Sequence, residues 1–584
     1  MTETRPHWRP LRIWIPILLL PLMLLMRFIP DLVPNGPSMI WMSSAFGPLL
    51  VGLLVMLWWL FISRARWFER LLGILGIAVA VGIEQAVCHN SMRGPLLMVM
   101  TIPMAIAAFA LGAILFSRNL TIKRTALAVG LALLGAGYSA LIRTDGVWGN
   151  FSFGFDWRWN ESSEQKALRE YRQAEKLVTK QTIDPEALRE SLRESPWPHF
   201  RGPQGTSSQL GVRFSDDWKA HPPQEIWRNR IGPAWSSFVV GADRLFTQEQ
   251  RENQEAVTCY DSQTGAPIWS FETPSRFFES LGGLGPRATP TLADGSIYAF
   301  GSEGILVRLD ATDGKLIWKV DIKELSGRKT PPMWGFSCSP CVASNQVIVH
   351  AGGKEDKGVI ALDVEDGAVA WTARAGEMSY SSVQTIRLLE QTYLCLLSNQ
   401  GAHLWEPSTG KLVLDYEFEH RGYRACQAQV IDGNKLLIPA GMGTGTQLVE
   451  FTTGDGGLQA KELWTSKDMK PDFNDILVYD GNIYGFDNGF FACIGLKDGK
   501  RQWKGGRYEK GQAFLLADSG LILVVSENGE LVLLRATPEK HQELGKIKAL
   551  SGKTWNHPVF VGDRLYLRNA EESVCYQLAS VSGE

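Results

Sequence analysis

The sequence predicts an all-β, eight-bladed propeller preceded by an α-helical transmembrane domain of about five helices. Three observations carry this prediction. A phrase of the form (Asp/Thr)-Gly-x-x-x-Trp recurs through the C-terminal part of the chain. Each copy follows short apolar runs with tight turns of their own. The first 142 residues are nearly all apolar, whereas the remainder is ordinary soluble sequence rich in Trp and Gly.

The phrase runs from Thr264 and Gly265 to Trp269, from Asp313 and Gly314 to Trp318, from Asp366 and Gly367 to Trp371, and from Asp498 and Gly499 to Trp503. Degenerate copies sit at Thr409 and Gly410, and between Gly456 and Trp464. The copies are roughly 40 to 53 residues apart, the spacing of a propeller blade or a large solenoid repeat. Asp-Gly or Thr-Gly between apolar runs is a hairpin turn, because glycine takes the positive φ and the flanking side chain bonds the local backbone. A strand precedes the turn and the Trp-bearing strand follows it. Two further strands come earlier in each unit, as around Asp294 and Gly295.

Four short antiparallel strands cannot cover both their faces, so the units must pack against one another. Units end near Trp269, Trp318, Trp371, Leu414, Trp464 and Trp503, and a seventh runs from Gln512 to about Leu550. The last segment, from Trp555 to Leu578, holds only three strands, while the run from Gln224 to Arg228 is an orphan strand that carries Trp227. Joining the orphan to the short last unit closes a ring of eight and leaves no open sheet edge.

Strand, then (Asp/Thr)-Gly-x-x-x-Trp, resembles the repeat of pyrroloquinoline-quinone (PQQ)-like eight-bladed propellers. That family contains quinoprotein alcohol and glucose dehydrogenases and a non-enzymatic propeller lipoprotein of the outer-membrane barrel-assembly machinery. The run Trp197-Pro198-His199-Phe200-Arg201-Gly202-Pro203 is similar to the start of many bacterial secreted members. The resemblance covers about residues 196 to 580. It speaks for fold more than for activity, because the repeat residues are packing residues.

Five apolar stretches precede this region, at about 11–28, 39–62, 71–87, 96–116 and 125–142. The third is the shortest and carries Glu84, which is expected to snorkel near the outer interface or to act at the helix end, with a quinone or proton site as the other reading. Arg5, Arg9 and Arg12 precede the first stretch. Arg64, Arg66 and Arg70 follow the second, and Arg118, Lys123 and Arg124 follow the fourth. Alternate loops hold only Arg27, Arg93 and Arg143. This bias places the N-terminus in the cytoplasm, and an odd number of spans then places the propeller outside it. The expected organisation is a transmembrane domain over 1–144, an interfacial and helical linker over 145–195, and the propeller over 196–584. Within the linker, 161–180 and a segment capped by Asp184 and Pro185 predict helices. The localisation that follows is a multi-pass inner membrane protein with a periplasmic propeller.

A net charge of −2 over 584 residues gives no general affinity for nucleic acid. Cys259, Cys493 and Cys575 recur at one place in the third strand of their units, as small buried residues would. Cys338 and Cys341 have redox spacing but begin an inner strand, with no helix to lower a thiol pKa, so they predict structural use.

A ligand site in a propeller lies at the mouth of the channel, where the inner strands begin. Within the resemblance, the implied cofactors are PQQ and calcium. The quinone is a planar tricarboxylate that needs cations and an aromatic floor. Arg287, Arg424 and Lys510 would serve its carboxylates, and Trp334 or Trp555 the floor. Asn474 and Asp475 would be calcium ligands, and Asp475 the catalytic base. The adjacent Cys-Cys ring of the family's alcohol dehydrogenases is absent from the sequence. Two functions therefore stand. One is a platform in the cell envelope that binds a protein, peptide or other ligand. The other is a PQQ-dependent alcohol or sugar dehydrogenase that feeds the membrane quinone pool.

Overall fold

In a computed structural model, residues 10–33, 38–119, 122–149, 151–177 and 184–581 are described. They divide into two compact units. One holds the residues up to Asn160 together with Phe278–Gly283, and the other holds Glu161–Phe277 and Leu284–Glu584.

The first unit is helical. Its helices are α1 (Trp14–Leu32), α2 (Ser38–Leu57), α3 (Trp67–Val87), α4 (Ile102–Leu115) and α5 (Lys123–Ser139). Met42–Ile62, Trp67–Val87 and Leu97–Leu115 are long and apolar enough to cross a membrane, and Trp14–Ile29 is a shorter apolar helix. The stretch expected to be shortest is in fact the 21-residue α3. The fifth apolar stretch ends as a helix at Ser139, and Ile142 already begins a hairpin of strands Ile142–Val147 and Phe153–Trp157. Packing is tight where small residues allow it. Trp59 meets Phe109 edge-on at 4.8 Å, and a Cβ on Gly73 would come within 2.6 Å of Trp59 Nε1.

Two sequence expectations are corrected in this unit. Glu84 does not snorkel: it is 1% exposed and accepts a hydrogen bond from Gln85 Nε2 at 2.8 Å. Arg124, counted as a loop charge, is buried in an ion pair with Glu69 at 2.6 Å. Arg5 and Arg9 lie outside the described residues.

The second unit is the ring. Blade 1 holds Val239–Gly241, Arg244–Arg251, Gln254–Asp261 and Pro267–Pro274, paired in that order. Blades 2 to 6 repeat this meander, beginning at strands Thr291–Ala293, Cys341–Ala343, Gln384–Leu388, Gln429–Ile431 and Leu477–Tyr479. Blade 7 begins at Gln512–Leu516. Blade 8 takes three strands from the C-terminal end, and its fourth is Gln224–Arg230, with Cys575 opposite Trp227. The orphan strand therefore closes the ring as its sequence predicts. First strands of neighbouring blades lie against each other, so they line the axis.

The repeat phrase works between blades. The turn glycine of one blade lies on the Trp of the blade before it. A Cβ on Gly265 would meet Trp227 at 2.7 Å, one on Gly314 would meet Trp269 at 2.5 Å, and one on Gly499 would meet Trp464 at 2.7 Å. The same indoles reach forward. Trp318 Nε1 donates to Val364 O at 2.8 Å and Trp464 Nε1 to Leu496 O at 3.0 Å. Glycine thus serves twice, taking positive φ in the turn and clearing space for the ring.

Two helices that precede the blades in the chain belong with the ring. α6 (Ser163–Leu177) lies against blade 1, and α7 (Pro185–Ser191) is capped by Asp184, whose carboxylate accepts from Glu186 N–H at 3.0 Å. Positions 178–180 of the expected first helix lie outside the described residues.

Candidate functional site

A belt of hydrogen bonds circles the axis where the inner strands begin. Ser237 N–H donates to Thr289 Oγ1 at 3.0 Å, Thr289 N–H to Ser339 Oγ at 3.0 Å, and Ser339 N–H to Ser382 Oγ at 2.8 Å. Farther round, Asp475 N–H donates to Gln512 Oε1 at 3.4 Å and Gln512 Nε2 to Trp555 O at 3.0 Å. Ser237 Oγ donates to His557 O at 2.6 Å and joins blade 1 to blade 8. Much of the polarity at the inner-strand starts is used to hold blades together.

Residues 197–209 cross the other ends of the inner strands. Trp197 bridges Val240, Leu292 N–H donates to Pro198 O at 2.8 Å, and Ser208 and Gln209 pair in parallel with Leu515 and Leu516. This segment sends two side chains to Asp475. Arg201 Nε lies 3.0 Å from the carboxylate, Ser207 Oγ donates to it, and His557 Nε2 lies 2.9 Å from its Oδ2. Asp475 is 4% exposed. Burial alone would raise its pKa, but Arg201, His557 and Ser207 outweigh burial and hold the carboxyl well below the usual range.

The other predicted site residues fall into separate groups. Asn474 Nδ2 donates to Gly511 O, and its Oδ1 accepts from Asp472 N–H at 3.2 Å. Lys510 pairs with Asp472. Trp555 packs on Trp235 at 4.9 Å and on Phe473 at 5.2 Å, and its Nε1 donates to Glu527 at 2.6 Å. These residues share one side of the mouth with Asp475. Trp334 and Arg424 form a second group. Trp334 contacts Tyr380 at 5.0 Å and Tyr423 at 4.1 Å. Arg424, next in the chain, donates from Nη2 to Phe418 O at 2.8 Å. Arg287 donates to Gly285 O and lies over the Phe277 ring at 4.7 Å.

This donor set does not fit PQQ with calcium. Both Asp475 oxygens face Arg201, Ser207 or His557, and Asn474 is bonded to backbone at both ends of its amide. Among the described residues, no group of three or more His, Cys, Asp or Glu side chains is placed to hold a metal ion. Of the two alternative floors, Trp555 lies on the Asp475 side and Trp334 in a separate aromatic cluster.

Sequence reasoning passed over Arg201, Ser207 and His557 as a set. His557 lies two residues after Trp555, but nothing in its spacing points to residues some 350 positions earlier. The cysteines behave as packing residues: all eight are free thiols. Burial pushes Cys341 up to about 12, and Cys338 accepts from His350 N–H at 3.3 Å.

The profile of the family described as outer membrane protein assembly factor BamB matches residues 221–333 and 285–505. BamB of Escherichia coli (strain K12) is 31% identical over 147 residues, which are 24% of this chain and 35% of that protein. Quinohemoprotein alcohol dehydrogenase ADH-IIG of Pseudomonas putida is 29% identical over 214 residues, 34% of this chain and 27% of that protein. The match thus spans about a third of the length of these curated relatives. Among solved structures, BamB from Moraxella catarrhalis aligns with a TM-score of 0.45 at 15% identity, covering 61% of this chain and 99% of that one. With its recurrent Gly-on-Trp blades and a profile match reaching from 221 to 505, the ring of this chain belongs to the PQQ-like repeat family of eight-bladed propellers.

Proposed function

We propose that this chain is a multi-pass inner-membrane protein whose extracytoplasmic propeller is a protein-binding platform in the cell envelope. The observation that carries this reading is the state of Asp475. The carboxylate best placed to act as a base is spent on Arg201, Ser207 and His557, under a segment that crosses the ring. A general base must reach the proton it takes, and this one is enclosed. The orientation rests on basic residues before α1, between α2 and α3, and between α4 and α5, which favour a cytoplasmic N-terminus. Five helices then carry the ring to the opposite side. One relative is named as an assembly factor, which agrees with a binding role.

The dehydrogenase reading draws on the match to a quinohemoprotein alcohol dehydrogenase. One experiment separates the two. A photo-crosslinking residue is placed on the propeller at Met378 and at Asp313 in living cells, and the purified full-length protein is titrated with PQQ and calcium. The platform reading expects a discrete cross-linked envelope protein and no rise in melting temperature with the cofactor. A cofactor-dependent rise together with dye reduction on alcohols or sugars would overturn it.

A further inference from the structure

Arg424 differs from four other buried arginines of the chain, Arg124, Arg201, Arg251 and Arg568. Arg201 has Asp475, Arg251 has Glu249 and Arg124 has Glu69. Arg568 donates to Thr247 Oγ1 and to the carbonyls of Gly232 and Gln248, and it lies within the field of Glu249. Arg424 is 1% exposed, and among the described residues it makes no ion pair. Only Nη2 is satisfied, by Phe418 O, while Nε and Nη1 have no hydrogen-bond partner. Burial pulls the guanidinium down to about 10, so it is still a cation at neutral pH. A water can satisfy a donor but not a buried charge. The Phe418 ring lies 5.1 Å from the guanidinium, and among the described residues no anion pairs with it.

The rim beside Arg424 exposes apolar side chains next to charged ones such as Glu419 and Arg421. Met333 and Met442, 65% and 61% exposed, are the two most exposed large hydrophobic side chains described in the propeller, and Met378 is 48% exposed. They belong to one patch. Met333 precedes Trp334, whose ring meets Tyr380 and Tyr423. Asn399 N–H donates to Met378 O at 2.9 Å, and Asn399 O accepts from His420 N–H at 2.8 Å. Met442 lies so close to Gly422 that a Cβ there would meet its Sδ at 2.4 Å. Flexible thioethers make a surface that adapts to varied apolar side chains.

Resting on the platform reading, we infer that the mouth over blades 3 to 5 receives the free C-terminus of a partner protein's apolar segment, with the terminal carboxylate delivered to Arg424. The charge is complementary, and guanidinium to carboxylate is a strong charge-assisted bond. The occupant is a chain end because the cation is almost wholly enclosed. A terminal carboxylate goes in ahead of its chain, whereas an Asp or Glu within a chain must bring flanking backbone on both sides.

The test uses the full-length protein in nanodiscs and a labelled octapeptide of alternating Ser with Leu or Phe that ends in a free carboxylate. The same peptide with a C-terminal amide is the second probe, and an amidated peptide with one internal Glu is the third. Fluorescence anisotropy should show the free acid binding about tenfold or more tighter than the amide. Arg424→Met should erase that difference. It removes a buried unpaired charge, so its melting temperature should hold or rise, which shows the variant is folded. Met378→Asp should weaken the free acid and the amide alike. Equal binding of acid and amide, tighter binding of the internal-Glu peptide, or no binding of any probe at about 1 mM would overturn the proposal. A cross-linked partner found elsewhere on the ring would in that case leave the platform reading standing.

Discussion

Asp475 and Arg201 lie 274 positions apart in the chain and 3.0 Å apart in space. The pair joins the segment that crosses the ring to the start of the inner strand of blade 6, and both side chains are buried. Removing one partner leaves the other as an uncompensated buried charge. Asp475→Asn should therefore cost about 3 to 5 kcal/mol, seen as a lower midpoint in thermal or denaturant unfolding. The sign with pH follows from the depressed carboxyl. Its contribution is complete above the unfolded value near pH 4 and is lost as pH falls through the lower folded value. An unchanged midpoint in Asp475→Asn would show that the pair adds nothing to the fold.

His350 predicts a second acid-sensitive window, at higher pH. Its imidazole is buried at the end of the second strand of blade 3, with Nε2 2.9 Å from Gly376 O. Burial lowers its pKa to about 4, with smaller contributions from His403 and Arg328 in the same direction. The unfolded chain takes up the proton first, so stability should fall from about pH 6.5 to about pH 4 and level off below, by ~3 kcal/mol in all. His350→Leu should flatten that stretch of the curve while leaving the drop below pH 4 that belongs to Asp475. Melting temperatures of both proteins from pH 7 to pH 4 decide it, and parallel curves would sink the assignment.

What the sequence made legible was what repeats. Five Trp-bearing turns, a sixth that ends in Leu414, their spacing and one orphan strand suffice for a closed ring of eight, because each blade solves the same packing problem with much the same residues. The features that do not repeat were hidden. Arg201 sits in a Gly- and Pro-rich run with no periodicity, and its partner is contributed five blades later along the chain. Arg124 read as a loop charge, since only its juxtaposition with Glu69 turns it into half of a buried pair. The predicted site residues were chosen by type at the inner-strand starts, and type does not say where a side chain is already committed. Lys510 and Asn474 are both bonded to neighbours contributed by the adjoining loop.

The Gly-on-Trp contact predicts paired costs across a blade seam. Trp318 is 8% exposed, packs beside Tyr298 and donates to Val364 O. Trp318→Ala should cost about 3 to 5 kcal/mol as a large core truncation. Gly367 faces the same indole at φ +74°, and its added Cβ would come within 3.0 Å of the ring. Gly367→Ala should cost about 1 to 3 kcal/mol from the left-handed backbone and the contact together. In the double variant the contact is already gone, so the two losses should sum to less than their total. Strict additivity in urea unfolding would mean that the two residues do not share a seam.

The last prediction concerns α6, which meets the ring through polar contacts and through the buried Ala167 and Leu168. The Arg251 guanidinium lies 3.7 Å from the centre of the Tyr171 ring. Glu164 accepts from Glu252 N–H at 2.6 Å and pairs with Arg276 at 3.0 Å, while Glu170 pairs with Arg230 at 3.1 Å. The last of these is half-exposed and adds little. Arg251 keeps Glu249 whether or not the helix is present, so blade 1 does not need α6 to stay neutral. A helix attached in this way should open locally while the ring stays folded. Tyr171→Ala removes the stacking under Arg251, a loss of about 1 to 2 kcal/mol, and should speed tryptic cleavage after Arg169 and Arg172 roughly tenfold. The melting temperature of the ring should not move with it. Cleavage at the wild-type rate would mean that Glu164 alone fastens the helix, and a matching fall in ring stability would mean that α6 is part of the fold itself.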